Sequence, residues 1–290
     1  MEKIAHPVLV ISASDSSGGA GMQADVRTIS SYGLWPLSVI TAVTAQNSSG
    51  VKAVYPLPSQ ILEQQFVSAI EEARPEAIKI GAVGSAENLI TIGGLLSAYC
   101  RDIPIVVDPV ISATTGGNLA SDPNNQLPAL YKEYIFPLST VVTPNLPEAI
   151  NFIESFSDVP DINKYSVENA AERFLRLSSV KAVVLKGGHS ESDTVADLLA
   201  VRNENETSFF TYLTGRIPDA SFHGTGCVYS SLLASALASG LDIRKAFLFS
   251  SAEIHQLILN NKERIFPNES YPPLLSQPSV RIGGVGHNNN

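Results

Sequence analysis

The chain has 290 residues, 44% hydrophobic and 16% charged, the balance of a folded chain with a sizeable core and not of a disordered one. A formal net charge of −9 with no basic block excludes a nucleic-acid surface, yet leaves room for a phosphate held by local amides, lysines or a metal. Cys100 and Cys227 are unpaired in spacing and the five histidines are scattered, which excludes a cysteine-spaced zinc site and points to a reducing cytoplasm; neither a signal peptide nor a membrane-spanning apolar run is read.

In chain order, Val8–Ile11 reads as a buried strand, followed by the loop Ser14–Gly21 and a helix over Met22–Tyr32 that Gly33 closes. Leu37–Val43 is a second buried strand whose end carries Gln46 and Asn47. Val51–Tyr55 is a short extended piece, and Pro58–Glu72 a helix. Ala77–Ile80 is a strand, Ala86–Tyr99 a helix, and Ile103–Val107 a strand ending in Asp108-Pro109. Ser112–Asn125 is a loop before a helix over Leu127–Tyr134. Thr140–Val142 is a strand ending in Thr143-Pro144-Asn145, with Pro147 early in the next helix, where its missing N–H costs nothing. Ser166–Leu177 is a helix and Ala182–Leu185 a strand ending in Lys186-Gly187-Gly188. Thr194–Val201 and Ser208–Leu213 form a ribbon around a polar turn. Two helices close the chain, one after Cys227 and one from Ile243 to about Arg264.

Strands alternating with helices predict an α/β fold: a mainly parallel sheet with helices on both faces, plus a small β-ribbon. Asp15, Gln46, Asp108, Asn145 and Lys186 all follow predicted strands, at the edge where open α/β sheets bind ligands. Residues 1–266 read as one domain, and the polar stretch 267–290 as a loosely ordered or interfacial tail.

The stretch that organises the chain is His223-Gly224-Thr225-Gly226-Cys227, running straight into a helix of small residues and leucines. Glycines around Thr225 permit a tight turn, and the helix start offers free N–H groups and a positive dipole end, which suit a phosphate. Cys227 in the first turn is expected to lose its proton more readily. The plainer alternative is a glycine turn before an ordinary packed helix. Gly19-x-Gly21-x-x-Ala24 matches the loose dinucleotide pattern, but Thr44-Ala45-Gln46 has no carboxylate where a ribose would need one, which weighs against an oxidoreductase. No P-loop motif occurs. Asn145-Leu146-Pro147-Glu148 is a capping box by spacing, and alternatively a pair of oxygen donors beside hydrated magnesium. Asp108, ending Ile105-Val106-Val107, needs a metal or lysine partner if buried. For His189, His223 and His255 a surface or capping role is expected, and for Gln23 and Asp25 the polar face of a helix.

Six ordered blocks carry a resemblance: Ser14–Asp25, Thr41–Asn47, Asp108-Pro109-Val110, Thr143–Ala149, Val184–His189 and His223–Cys227. Together they resemble the hydroxymethylpyrimidine/phosphomethylpyrimidine kinases of thiamine synthesis, within the ribokinase-like superfamily, in the vitamin-kinase branch that also holds pyridoxal kinases. The resemblance implies ATP-dependent phosphorylation of hydroxymethylpyrimidine and its monophosphate, with pyridoxal, pyridoxine or pyridoxamine as alternative acceptors. A non-catalytic ligand-binding relative is the alternative from another class. It further implies that Gln46 reads the pyrimidine ring nitrogen and amino group, with backbone contacts from Ala13 and Val110 and a polar wall from Asp25. Asp108 and Glu148 would sit around Mg2+, Asn145 and Lys186 at the nucleotide, and Gly224, Thr225, Gly226 and Cys227 would form the catalytic anion hole. The expected partner is a small-molecule vitamin precursor, with no nucleic acid or membrane, in a homodimer in the cytoplasm. Wider relatives place an aspartate base where Cys227 stands, so the proton acceptor is left open. Two departures touch the acceptor end: Ser16 replaces the proline of the family's opening Thr-Asp-Pro-Ser, and Ala82 follows Lys79-Ile80-Gly81 in place of methionine.

Overall fold

The computed structural model describes residues 6–47, 49–111, 119–120, 122, 124–156, 166–189, 192–204, 206–218, 220 and 222–262. The predicted tail and the end of the last helix at Arg264 lie outside them, as does most of the loop Ser112–Asn125. Among the described residues nine strands form one sheet in the order β3-β2-β1-β4-β5-β6-β7-β8-β9. These are β1 (Pro7–Asp15), β2 (Trp35–Asn47), β3 (Gly50–Pro56), β4 (Ala77–Ile80), β5 (Ile105–Val107), β6 (Val141–Val142), β7 (Ala182–Leu185), β8 (Thr194–Arg202) and β9 (Thr207–Gly215). Pairing is parallel from β2 through β7, while β3 joins β2 and β8 joins β7 antiparallel. The expected ribbon is β8 and β9, paired in register from Thr194↔Gly215 to Arg202↔Thr207, and it extends the main sheet.

The helices are α1 (Gly21–Ser31), α2 (Ser59–Glu72), α3 (Ala86–Tyr99), α4 (Leu127–Leu130), α5 (Leu146–Phe156), α6 (Val167–Ser178), α7 (Thr225–Ala238) and α8 (Ile243–Asn261). The helix expected over Leu127–Tyr134 is split, α4 passing into a π-turn over Tyr131–Ile135. Alternation along β1 sends Leu9 and Ile11 to one face of the sheet and Val8 and Val10 to the other, as a twofold strand repeat requires. The first face packs against α2 to α6 around aromatic rings; Phe136 lies 5.4 Å from Phe152 and 5.7 Å from Phe174, centroid to centroid. The second face packs against α1, α7 and α8, with Val228, Leu232, Leu233 and Phe247 in its centre.

α7 is buried almost all round, because its serines and alanines (Ser230, Ser231, Ala234, Ser235) let α1, α8 and the sheet approach closely. That burial holds the helix start rigidly over the carboxyl ends of the central strands. No helix among the described residues is long and apolar enough to cross a membrane.

Candidate active site

The carboxyl ends of the strands and the start of α7 enclose a cleft of about 560 Å³. Of the residues singled out from sequence, Ala13, Gln46, Asp108, Val110, Asn145, Glu148, Lys186 and Gly224 to Cys227 all line it. Gly224 caps α7 in a left-handed conformation, φ 85°, that side chains rarely adopt. A β-carbon there would also collide with the Gly19 carbonyl, so the first glycine loop lies directly against the turn before α7. At Gly226 a β-carbon would come within 3.3 Å of both Asp108 Oδ2 and Lys186 Nζ, so this glycine keeps open the space between the helix start and the charged pair. Thr225, Gly226 and Cys227 are the first residues of the helix, whose N–H groups precede the first intrahelical acceptor.

Below the turn, Lys186 Nζ donates to Asp108 Oδ1 at 2.9 Å; the lysine is 17% exposed and the aspartate 1%. Burial opposes the Lys186 charge, but Asp108 and Glu148 raise its pKa, so it stays protonated. Burial pushes the Glu148 carboxyl up, Lys186 draws it down and Asp108 adds to the rise. The capping box is fully formed: Asn145 N–H donates to Glu148 Oε2 and Glu148 N–H to Asn145 Oδ1, both at 2.8 Å. The cap and the cleft are therefore compatible, since the box aims Glu148 inward while satisfying the start of α5.

At the other end, Gln46 enters the cleft through an irregularity. The β2–β3 register shifts between Ala45 and Gln46, and such a bulge re-aims a side chain. Ser16, which stands where the resembling family has proline, holds that bend: its hydroxyl donates to the Gln46 carbonyl at 2.7 Å and accepts from the Gln46 N–H at 2.9 Å. Asp15 is buried inside the loop, accepting from Ser17 N–H, Ser17 Oγ and Ala20 N–H at 2.8, 2.9 and 2.8 Å.

Three expectations are corrected. Asp25 is no wall of the cleft: its carboxylate is wholly buried, accepting from Lys79 Nζ at 2.7 Å and Ser231 Oγ at 2.8 Å, because α1 turns that face onto β4 and α7. Cys227 does not lose its proton readily; burial pushes its thiol up to about 12, against the opposing pull of Lys79. His223 is no surface residue but lies 5% exposed between Asp15 and Gln46.

Other lining residues went unnoticed in the sequence, apart from His255, for which a surface or capping role was expected. Asp197 and Thr214 on the β8–β9 hairpin and Ser251, Ile254, His255 and Ile258 on α8 wall the cleft beyond Lys186. Asp197 accepts from Gly187 N–H at 2.9 Å, tying the hairpin to the end of β7. Only the periodic apolar pair Ile254 and Ile258 carried any signal, and it reads equally well as core.

Residues 15–267 match the family described as phosphomethylpyrimidine kinase. A hydroxymethylpyrimidine/phosphomethylpyrimidine kinase of Bacillus subtilis is 34% identical over 257 residues, 88% of this chain and 90% of that protein. A thiamine biosynthesis bifunctional protein of Geobacter sulfurreducens is 36% identical over 82% of this chain, which spans 46% of that longer protein. Among solved structures, phosphomethylpyrimidine kinase from Clostridium difficile matches with a TM-score of 0.69 at 34% identity, over 87% of this chain and 99% of that one. Pyridoxal kinase from Staphylococcus aureus, in complex with AMP-PCP and pyridoxal, matches with a TM-score of 0.76 at 27% identity, over 94% of this chain and 93% of that one.

Proposed function

The chain belongs to the phosphomethylpyrimidine kinase family, and we propose that it transfers the terminal phosphoryl group of ATP to the hydroxymethyl group of hydroxymethylpyrimidine, and then to the monophosphate. One observation carries this reading. A single cleft joins the helix-start anion turn, the Asp108–Lys186 pair and the Gln46 amide, so phosphoryl donor and hydroxyl acceptor can meet inside it.

Gln46 offers a carbonyl and an amide N–H to the pyrimidine edge, with Ala13 and Val110 against the ring. Lys186 and Asn145 face the nucleotide phosphates. The N–H groups of Thr225, Gly226 and Cys227 stabilise the charge on the phosphoryl group in flight, the largest contribution in a reaction with a loose transition state. Cys227, a thiol through the neutral range, sits against the reacting centre as a neutral group. The Asp108 carboxylate, hydrogen-bonded to Lys186 and lining the same cleft, is the other candidate for taking the acceptor hydroxyl's proton.

The donor set fits magnesium. Among the described residues no group of three or more histidine, cysteine or acidic side chains could hold a metal ion alone, so a bound magnesium would keep most of its waters. Two carboxylates lining the cleft, Asp108 and Glu148, would hold such a hydrated hard cation. When bound, the ion would neutralise phosphate charge. The enzyme acts as a homodimer in the cytoplasm in this reading.

Phosphorylation of pyridoxal is a second, weaker activity, favoured by Ala82 in the cleft wall, where a methionine would fill more space. A steady-state comparison of hydroxymethylpyrimidine, its phosphate and pyridoxal with one preparation tests the assignment. The pyrimidine should have the highest kcat/KM, and Gln46→Leu should depress that reaction selectively. Higher efficiency with pyridoxal would reverse the order, and no turnover of any of the three would leave a non-catalytic binder.

A further inference from the structure

His223 Nε2 lies 3.0 Å from Asp15 Oδ2 and 3.1 Å from Gln46 Nε2, while its Nδ1 is buried without a hydrogen-bond partner. The three side chains cannot all be satisfied in that arrangement, and the chemistry of each decides how the conflict resolves. Burial pushes the Asp15 carboxyl up, but hydrogen bonds from His223, Ser17 and Ala20 outweigh it and hold the pKa below the usual carboxylate value. Asp15 is therefore ionised and accepts only. A neutral imidazole carries one N–H, and a carboxylate 3.0 Å from Nε2 places it there, leaving Nδ1 bare.

A nitrogen that donates to Asp15 cannot accept from an amide N–H. The two ends of a glutamine amide have nearly the same shape, so the groups around them determine its orientation. Turned with Oε1 toward His223, Gln46 accepts from Nε2–H, and its nitrogen faces Thr44 Oγ1, 3.3 Å from the other end of the amide. Thr44 Oγ1 already donates its one hydrogen to the Ser14 carbonyl at 3.0 Å, so it is free to accept. The His223 N–H, shared between Asp15 and Gln46, and one of the two Gln46 amide hydrogens then meet acceptors, and the second amide hydrogen is left for the ligand. The opposite orientation sets donor against donor at His223 and asks Thr44 to donate twice.

We infer that His223, fixed by Asp15, is a positioning residue that locks the Gln46 amide with Oε1 toward the imidazole and Nε2 toward Thr44. It thereby decides which way round the acceptor ring's hydrogen-bonding atoms are read. The inference rests on the proposed role of Gln46 at the ring. A free amide would turn to suit either an aminopyrimidine edge or its inverse; a locked one selects one of the two, which for the proposed substrate is the aminopyrimidine edge.

Two measurements on the full chain test this. In 15N-histidine-labelled protein, the imidazole signals missing from His223→Gln identify His223, and they should report the Nε2–H tautomer. For kinetics, the informative ligand pair is hydroxymethylpyrimidine and its oxo counterpart, in which a ring N–H and a carbonyl replace the ring nitrogen and amino group. Wild type should favour the amino ring, and in His223→Leu that preference should fall about tenfold, the scale of one mismatched buried hydrogen bond. His223→Gln, which returns an N–H donor, should recover most of it, with the KM for ATP little changed in both variants. An Nδ1–H tautomer in wild type, or an equal preference in all three proteins, would overturn the inference. If wild type phosphorylates neither ring, the substrate reading falls, while the tautomer still decides whether Asp15 fixes His223.

Discussion

Two lysine–aspartate pairs flank the turn at the start of α7, and they differ chiefly in exposure. Lys186–Asp108 and Lys79–Asp25 have N–O distances of 2.9 and 2.7 Å, and each joins residues far apart in the chain. The first opens on the cleft, its lysine 17% exposed; the second is 0% exposed on both sides, sealed between α1, β4 and α7. An ion pair that solvent and ligand can reach can exchange partners during a reaction. A sealed pair cannot, and its charges are retained only because each satisfies the other. Burial works against the Lys79 charge, yet Asp25, with help from Cys227 and Asp108, raises its pKa. Burial pushes the Asp25 carboxyl up, and Lys79 pulls it back. In the proposed reaction the first pair is the one that can act on a ligand, and the second is the floor on which α7 rests.

The most forceful way to break this contrast is to remove one lysine from each pair. Lys79→Met leaves a carboxylate buried alone and should lower unfolding free energy by about 3–5 kcal/mol. Lys186→Met should cost roughly half that or less, but should abolish most turnover. Urea unfolding beside single-turnover assays separates the two, and equal stability losses would end the distinction. The double variant Asp25→Leu/Lys79→Met sharpens it, since a well-packed apolar replacement should recover much of the loss.

Next in size is the glycine between the cleft pair and the helix start. Gly226→Val would press a branched side chain against Asp108 and Lys186, and should cut kcat about a hundredfold or more with the melting temperature nearly kept. Near-full activity would remove the turn from the phosphate site.

A smaller effect is expected at Cys227, which lies between the two pairs and feels both. With its thiol pushed up to about 12 and that of Cys100 to about 11, both chiefly by burial, neither should react quickly with iodoacetamide at neutral pH. Cys227→Ser and Cys227→Ala should stay within about tenfold of wild type and of each other, as a site dominated by backbone donors predicts. Rapid alkylation near pH 7, followed by mass spectrometry, would restore a thiolate to the mechanism.

The smallest effect concerns acid stability. Asp15 has a lowered pKa in the folded state, so its contribution is complete above the ordinary carboxylate pKa and is lost as pH falls through the folded value. Asp15→Asn should therefore melt lower than wild type at neutral pH, with the gap narrowing below about pH 4. A gap that widens in acid would reverse the sign assigned to Asp15.

Much of the molecule was legible in the residues alone. Short apolar runs, each followed by a polar group, imply buried parallel strands with polar ends, because a parallel sheet covered on both faces leaves nowhere else for Asp108, Asn145 or Lys186. The glycine turn at the start of α7 was equally readable, since glycine spacing and a following helix are local features. Three assignments needed the tertiary structure. Asp25 and Gln46 are both polar residues in the resembling blocks, yet only Gln46 reaches the cleft, and a register shift in β2–β3 with a clamp from Ser16 puts it there. A histidine before a glycine turn carries no mark of burial; His223 became a contact of Gln46 only when strands β1 and β2 met the start of α7. The Cys227 thiol was misjudged because a helix dipole can be inferred from local sequence, whereas desolvation depends on everything packed around the sulfur, and here desolvation is the larger effect.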